Sequence, residues 1–238
     1  MLKRAFEGLG YCQADYEDAA RAAVWLESHG MRGLELVEEH WQRLGKVAGG
    51  LEITAIDNDV MTLDARGSSM LARGRSIADL AMALLGQEGF GRLKVQQCYS
   101  RMAIVPALEL CAQRGAGAVA YWADSKYQHI ATIDTKCGTP DYRRMQTKPR
   151  HSASETSLDF ACHEQQQQLE SILAEFADGD VRSACACHVS AADMKTHYQA
   201  AIEHGLAVSD DLLATLSATA ETILVAATEQ SRRGAGEA

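Results

Sequence analysis

The sequence contains no run approaching 18 uninterrupted apolar residues, the length a helix needs to cross a bilayer, so no membrane-spanning helix and no membrane partner are expected. Its opening, Met1-Leu2-Lys3-Arg4-Ala5-Phe6-Glu7, reaches charge too early for a signal peptide. Proline is scarce, with three residues in 238, and alanine is abundant, so helix is favoured and strands are confined to β-branched runs. A disulfide framework is excluded: Cys12, Cys98, Cys111, Cys137, Cys162, Cys185 and Cys187 are odd in number and spread over a long chain. Reduced thiols fit a cytoplasmic location. Cations are too few for nucleic-acid binding, because Lys+Arg is 23 against Asp+Glu 32, a net charge of −9 that repels phosphate backbones. There is no G-x-x-x-x-G-K-[S/T] phosphate loop and no internal repeat.

What is present is a globular mixture, 47% hydrophobic and 23% charged, which excludes disordered and fibrous classes. Asp15 to His29 places Tyr16, Ala19, Ala20, Ala23 and Leu26 on one helical face, with Gly30 at the cap position. Leu34, Val37, Trp41 and Leu44 repeat the pattern, so two helices joined by Gly30-Met31-Arg32-Gly33 form a hairpin. Leu51–Ile56 and Val60–Leu63 flank Asp57-Asn58-Asp59 and predict a β-hairpin. Ser68 or Ser69 caps a helix carrying Leu71, Ile77, Leu80, Ala81, Leu84 and Leu85. Leu93–Tyr99 as strand, Ala103–Arg114 as helix and Ala118–Ala123 as strand have the length of a parallel βαβ unit. A further strand covers His129–Ile133.

From 134 to 160 the apolar signal fades into a long irregular loop, the place for a lid or connector. A helix then carries Leu169, Ile172, Leu173 and Phe176, and Val181–Val189 reads as an edge strand. Ser190 caps a helix running to His204. Ser209-Asp210-Asp211 starts the last one, with Leu212, Leu213, Leu216, Ala220, Ile223, Leu224 and Ala227 as its stripe. The fold class is therefore α/β: a helix-rich single domain over residues 1–230 with a flexible tail at 231–238. Its central mixed β-sheet is drawn from 51–63, 92–99, 117–123 and 129–133, covered by the N-terminal helical hairpin and the C-terminal helices. The alanine stripes suggest close helix packing across a homodimer interface.

Three groups carry candidate chemistry. Cys98, Tyr99, Ser100 and Arg101 follow a strand and precede a helix, where α/β proteins place ligands and where a thiol would have a lowered pKa. Tyr121 to His129 then packs aromatic, acidic, basic and imidazole groups into a second strand end. Together they propose a small-molecule ligand site of Tyr99, Arg101, Asp124, Lys126 and His129, with Cys98, Tyr99 and His129 as catalytic candidates; a packed core thiol and a plain polar turn are the bland readings. Cys162, His163, Cys185, Cys187 and His188 supply soft ligands for zinc, against ordinary packed cysteines and surface histidines. Gly115-Ala116-Gly117 loosely matches a dinucleotide fingerprint but precedes a strand instead of following one.

The stretch Ala20-Arg21-Ala22-Ala23-Val24-Trp25-Leu26-Glu27-Ser28-His29-Gly30-Met31-Arg32-Gly33-Leu34 resembles the N-terminus of an uncharacterised bacterial family of unknown function and similar length. Val189-Ser190-Ala191 and Gly205 to Asp211 resemble that family's C-terminal stretch. The order of elements, with Arg32-Gly33, Gly91-Arg92-Leu93-Lys94-Val95 and Gly117-Ala118-Val119-Ala120, is similar to the malate/L-lactate dehydrogenase family of NAD(P)-dependent oxidoreductases. That family carries Ser-His-Gly after the Arg-Gly, where Leu34-Glu35-Leu36-Val37 stands here. Its Asn-x-Asn-His-x-Gly gives way to Gln96-Gln97-Cys98-Tyr99-Ser100-Arg101, and the chain is markedly shorter than the family runs. The resemblance implies a shared fold without the hydride-transfer histidine. Three functions follow: a small-molecule-binding protein or accessory subunit, a divergent NAD(P)-dependent oxidoreductase in which His129 or Tyr99 replaces the missing histidine, or a metal-binding protein using the Cys/His cluster. Whether the chain is an enzyme stays open at this level.

Overall fold

Two consecutive residues of positive φ, Asn58 (46°) and Asp59 (64°), reverse the chain between strands β1 (Glu52–Asp57) and β2 (Val60–Asp64). Short polar side chains tolerate the left-handed region that a two-residue hairpin turn requires. The predicted hairpin is present, with Glu52 opposite Asp64 and Asp57 opposite Val60. The computed structural model describes residues 1–45, 49–89, 91–146, 156–176 and 185–223.

From β2 the chain passes through α4 (Met70–Glu88), capped by Ser69 accepting from the Leu71 N–H, into β3 (Gly91–Gln96), parallel to β2. A 3-10 turn (Arg101–Ile104) and α5 (Val105–Gln113) lead to β4 (Gly117–Ala123), with Pro106 in the first helical turn, where its missing N–H costs nothing. β3 and β4 run in the same direction but are not neighbours. β7 (Leu158–His163) lies between them, antiparallel to both.

The remaining strands are β5 (Tyr127–Ile133), β6 (Asp141–Gln146) and β8 (Cys185–Val189), giving one mixed sheet in the order β1-β2-β3-β7-β4-β5-β6-β8. β6 and the start of β7 correct the irregular loop predicted over 134–160. In β6, Tyr142 and Met145 are buried, while the charged Asp141, Arg143 and Arg144 between and beside them break the apolar alternation and mask the strand signal. Residues 134–140 and 156–157 are irregular, as expected, whereas 147–155 lie outside the described residues, as do 181–184 of the predicted edge strand and the 231–238 tail.

Most helices cover one face. They are α1 (Leu2–Gly8), α2 (Gln13–Ser28), α3 (Gly33–Leu44), α4, α5, α7 (Ala191–His204) and α8 (Asp210–Glu221). Their core includes Leu26, Val37, Leu63, Ile77, Leu93 and Phe160. The opposite face carries α6 (Gln166–Phe176), which buries Leu169 and Ile172 against Val119 and Ala161. The centre of the sheet is thereby covered on both sides, which explains the near-continuous apolar run of β4.

The α2 stripe packs as predicted, but Ala19, Ala20 and Ala23 are buried within the chain itself, so they present no outer face for a dimer. α8 ends at Glu221. Its Leu212, Leu216 and Ala220 are buried, whereas Leu213 is 43% exposed, and Leu224 and Ala227 lie outside the described residues.

Candidate functional site

One carboxylate draws the β4–β5 turn tight. Asp124 Oδ1 accepts the backbone N–H groups of Lys126 and Tyr127, each at 2.7 Å. Its Oδ2 lies 2.9 Å from His129 Nε2. A carboxylate only accepts, so Nε2 carries the proton, and Nδ1 of the neutral ring accepts from the Tyr142 hydroxyl at 2.8 Å. The imidazole stacks on Trp122, its cross-strand partner, with centroids 5.0 Å apart and planes 7° from parallel. Burial lowers the His129 pKa, opposed by Asp124, which keeps the ring neutral. Partial burial works to raise the Asp124 pKa, but hydrogen bonds from His129 and the two backbone N–H groups bring it below the ordinary carboxylate value. The result is a carboxylate–imidazole–phenol relay with both ring nitrogens engaged.

Arg101 stands beside this relay. Its guanidinium donates to the carbonyls of Ala123 at 2.8 Å and Ser157 at 3.1 Å, tying the 3-10 turn to the ends of two strands. Three of the five predicted ligand residues, Arg101, Asp124 and His129, therefore meet at one end of the sheet. Lys126 adds its backbone N–H, while the residue itself is exposed. Tyr99 does not join them. It faces the helical layer, where the Arg43 guanidinium lies 3.8 Å over its ring and His40 stacks at 5.4 Å.

Of the two readings of Cys98, activated nucleophile or packed core thiol, the structure has the packed thiol. It is 1% exposed, its Sγ donates to the Thr156 carbonyl at 3.4 Å, and burial pushes its pKa up to about 12. Low-dielectric surroundings disfavour the thiolate, so the nucleophile the sequence suggested is a packed, protonated thiol at neutral pH.

The five-residue metal site does not assemble. Cys162 and His163 are on β7, whereas Cys185, Cys187 and His188 are on the edge strand β8, with β4, β5 and β6 between them. Four strand spacings put the halves on the order of 19 Å apart, far beyond shared ligation of one ion. The residues are used locally: Cys162 is buried in the main core, His163 Nδ1 accepts from the Gln165 N–H at 2.9 Å, Cys185 Sγ donates to the Cys187 carbonyl at 3.3 Å, and His188 Nε2 sits 2.7 Å from Asp141 Oδ2. Among the described residues no group of three or more His, Cys, Asp or Glu side chains could hold a metal ion.

Sequence reasoning missed the cleft of about 340 Å³ enclosed by α2, α4 and α5. Asp18, Arg21 and Trp25 recur along one face of α2, Arg75 comes from α4, and Glu109 and Gln113 come from α5. Glu109 accepts from the Trp25 indole N–H at 3.1 Å, and burial raises its pKa against that hydrogen bond. Asp18 accepts from Arg21 at 2.9 Å; burial raises its pKa too, with Arg75 and Arg21 opposing. Met70, Leu71, Ala103 and Ala107 make the apolar floor. The available signal was Glu109 itself, a lone carboxylate inside the otherwise apolar run Val105-Pro106-Ala107-Leu108-Glu109-Leu110-Cys111.

This geometry sits in a fold with known relatives. Residues 1–86 match the family model described as "Protein of unknown function (DUF3726)". Comparison with curated proteins gives no match. Among solved structures the chain is similar to a dehydrogenase from Sinorhizobium meliloti, with a TM-score of 0.67 and 10% identity over 92% of this chain and 96% of that one. Malate dehydrogenase from Pyrococcus horikoshii OT3 gives 0.64 and 10% over 92% of each chain. The chain has the fold of these dehydrogenases. Delta1-piperideine-2-carboxylate reductase from Pseudomonas syringae pvar. tomato is similar as well, at 0.63 and 11% over 92% of this chain and 96% of that one. Both resemblances read from the sequence thus recur, one over the N-terminal third and one as shared architecture.

Proposed function

We propose that the chain is a small-molecule-binding protein, or an accessory subunit acting through a bound small molecule, with its site in the α2/α4/α5 cleft. The ligand class is a small organic acid that also offers a hydroxyl or ammonium group. One observation carries this reading: Glu109 is a carboxyl group placed in an apolar wall, its pKa raised by burial, across a cleft that also holds the guanidinium groups of Arg21 and Arg75. The guanidinium groups suit a carboxylate, and Glu109 with Asp18 suits the ligand's donors. A volume of about 340 Å³ lies within the range of small-ligand pockets. The acid in one neighbour's name, malate, is a hydroxy acid of this class and supports the choice.

Thermal-shift screening followed by calorimetry, using hydroxy, oxo and amino acids, tests the reading. Saturable binding is expected, weakened about tenfold or more by Arg75→Ala and by Glu109→Gln, the loss of one charge-assisted hydrogen bond. Binding that ignores both substitutions, or a panel without a single shift, overturns it.

A divergent NAD(P)-dependent oxidoreductase is the second reading, favoured by the dehydrogenase fold alone. The residues present fit a nicotinamide cofactor poorly. A Cβ on Gly117 would stand 2.6 Å from Leu169 Cδ1, so this glycine serves packing and cradles no phosphate. Of His129 and Tyr99, the two residues that could stand in as acid for the missing histidine, His129 has both ring nitrogens engaged and Tyr99 lies under the Arg43 guanidinium. Enhanced, saturable emission of reduced nicotinamide on adding protein would favour this reading over the first. A cytoplasmic location agrees with cysteines that are all free. We also propose a homodimer, formed by a surface other than the buried alanine stripe of α2; mass photometry showing monomer alone at micromolar concentration rejects it.

A further inference from the structure

A second depression, of about 690 Å³, runs along α2 between α1, α7 and α8. It gathers Met1, Val24, Tyr198, Leu206, Val208 and Leu213, six of the nine large apolar side chains exposed among the described residues. Scattered singly, such side chains need no explanation, but their convergence on one groove marks a binding surface. The floor is ordered by aromatic stacking. His29, 8% exposed, lies between Trp25 at 3.9 Å and Tyr198 at 5.0 Å. Its Nδ1 donates to the Trp25 carbonyl at 2.7 Å, and burial lowers its pKa, so the ring presents a neutral face.

The charge of the lining points to the occupant. The chain carries a net −9, yet the charged side chains lining this groove are Lys3 and Arg21, with no carboxylate among them. Both cations are more than half exposed, Lys3 3.9 Å from Glu17 and Arg21 2.9 Å from the half-buried Asp18, and exposed pairing of this kind is weak enough for an incoming anion to compete with it. Apolar walls with cations at the mouth are complementary to a single alkyl chain ending in a carboxylate.

We propose that the α1/α2/α7/α8 groove binds an alkyl carboxylate, its chain along Val24, Leu206 and Leu213 and its head group at Lys3 and Arg21. This site is separate from the α2/α4/α5 cleft, with which it shares the Arg21–Trp25 edge, and it stands if the cleft proves empty.

The test is calorimetric titration of the full chain with n-alkyl carboxylates of about six to twelve carbons, each below its micellar concentration, beside alcohols of equal length. Affinity is expected to rise about fourfold per added methylene until the groove is filled. The carboxylate should exceed the matching alcohol about tenfold, a preference removed by the double substitution Lys3→Ala, Arg21→Ala while alcohol binding persists. Val24→Asp should abolish both, and Leu213→Asp, at a second exposed position, gives the same readout should Val24→Asp not fold. Glu109→Gln should leave this binding unchanged. Absence of saturable binding, or binding indifferent to both Asp substitutions, overturns the proposal. So does a concentration-dependent dimer that Val24→Asp dissolves, because the occupant is then a second copy of the chain.

Discussion

His129 contributes to the fold in only one protonation state. Its Nδ1 must be free of a proton to accept from Tyr142, and a charged ring stacked on Trp122 would lose hydration it cannot replace there. Its folded pKa lies below the ordinary value of about 6.5, so between the two values the unfolded chain binds more protons and stability falls as pH falls. The stability linked to His129 is therefore complete above about 6.5 and lost on acidification through it. His29, also lowered by burial, adds the same sign. Asp18 and Glu109 act oppositely, since their raised pKa values contribute stability at low pH that is lost as pH rises through the folded value. A comparison isolates the imidazole: urea midpoints between about pH 5 and pH 7 should climb less steeply in His129→Gln than in the parent. Equal slopes would show that the ring is not neutral-locked. Tyr142→Phe, which strips Nδ1 of its donor in a buried site, should cost about 1–3 kcal/mol at neutral pH. Arg101, Asp124 and His129 were legible because strand ends collect polar groups. Cys98 was legible as a packed thiol; the placement of Tyr99 was not, because residue type and position do not tell which side of a strand end is buried.

At the scale of elements, the helical hairpin depends on one absent side chain. A Cβ on Gly33 would run into the Ala23 carbonyl and stand 2.7 Å from Leu26 Cβ, so α3 starts where it does only because α2 can lie against bare backbone. Gly33→Ala should therefore destabilise by about 1–3 kcal/mol through forced separation of the two helices. Gly45→Ala is the matched control: its Cβ would meet Leu9 Cδ2 no closer than 3.4 Å and its backbone is ordinary αR, so its denaturation midpoint should barely move. Comparable losses in both would mean that the effect lies in the unfolded chain and not in the contact. The hairpin, the β1–β2 turn and the Ser190 cap of α7 were readable because each depends on adjacent residues alone. β6 was not, because three charged residues interrupt the alternation of a six-residue strand whose buried residues, Tyr142 and Met145, are only two.

At the scale of the whole molecule, the least legible element occupies the most central place. β7 arrives after β4, β5 and β6 have been laid down, yet it inserts between β3 and β4. Its alternation of Leu158, Phe160 and Cys162 was in the sequence, but six residues with one acid and one histidine do not announce a sheet centre. Long-range pairing decides such a strand, and pairing partners are invisible to local pattern. The same placement makes β7 the strand on which both layers depend: Phe160, fully buried, belongs to the main core, and Ala161 on its other side supports α6. Phe160→Ala should accordingly cost about 3–5 kcal/mol in chemical denaturation. Ile56→Ala on the edge strand β1, where the side chain is 65% exposed, should stay within about 0.5 kcal/mol of the parent. If Phe160→Ala cost no more than the edge substitution, β7 would not join the two halves of the sheet, and the likeness to the dehydrogenase fold, which spans both halves, would have to rest on some other strand.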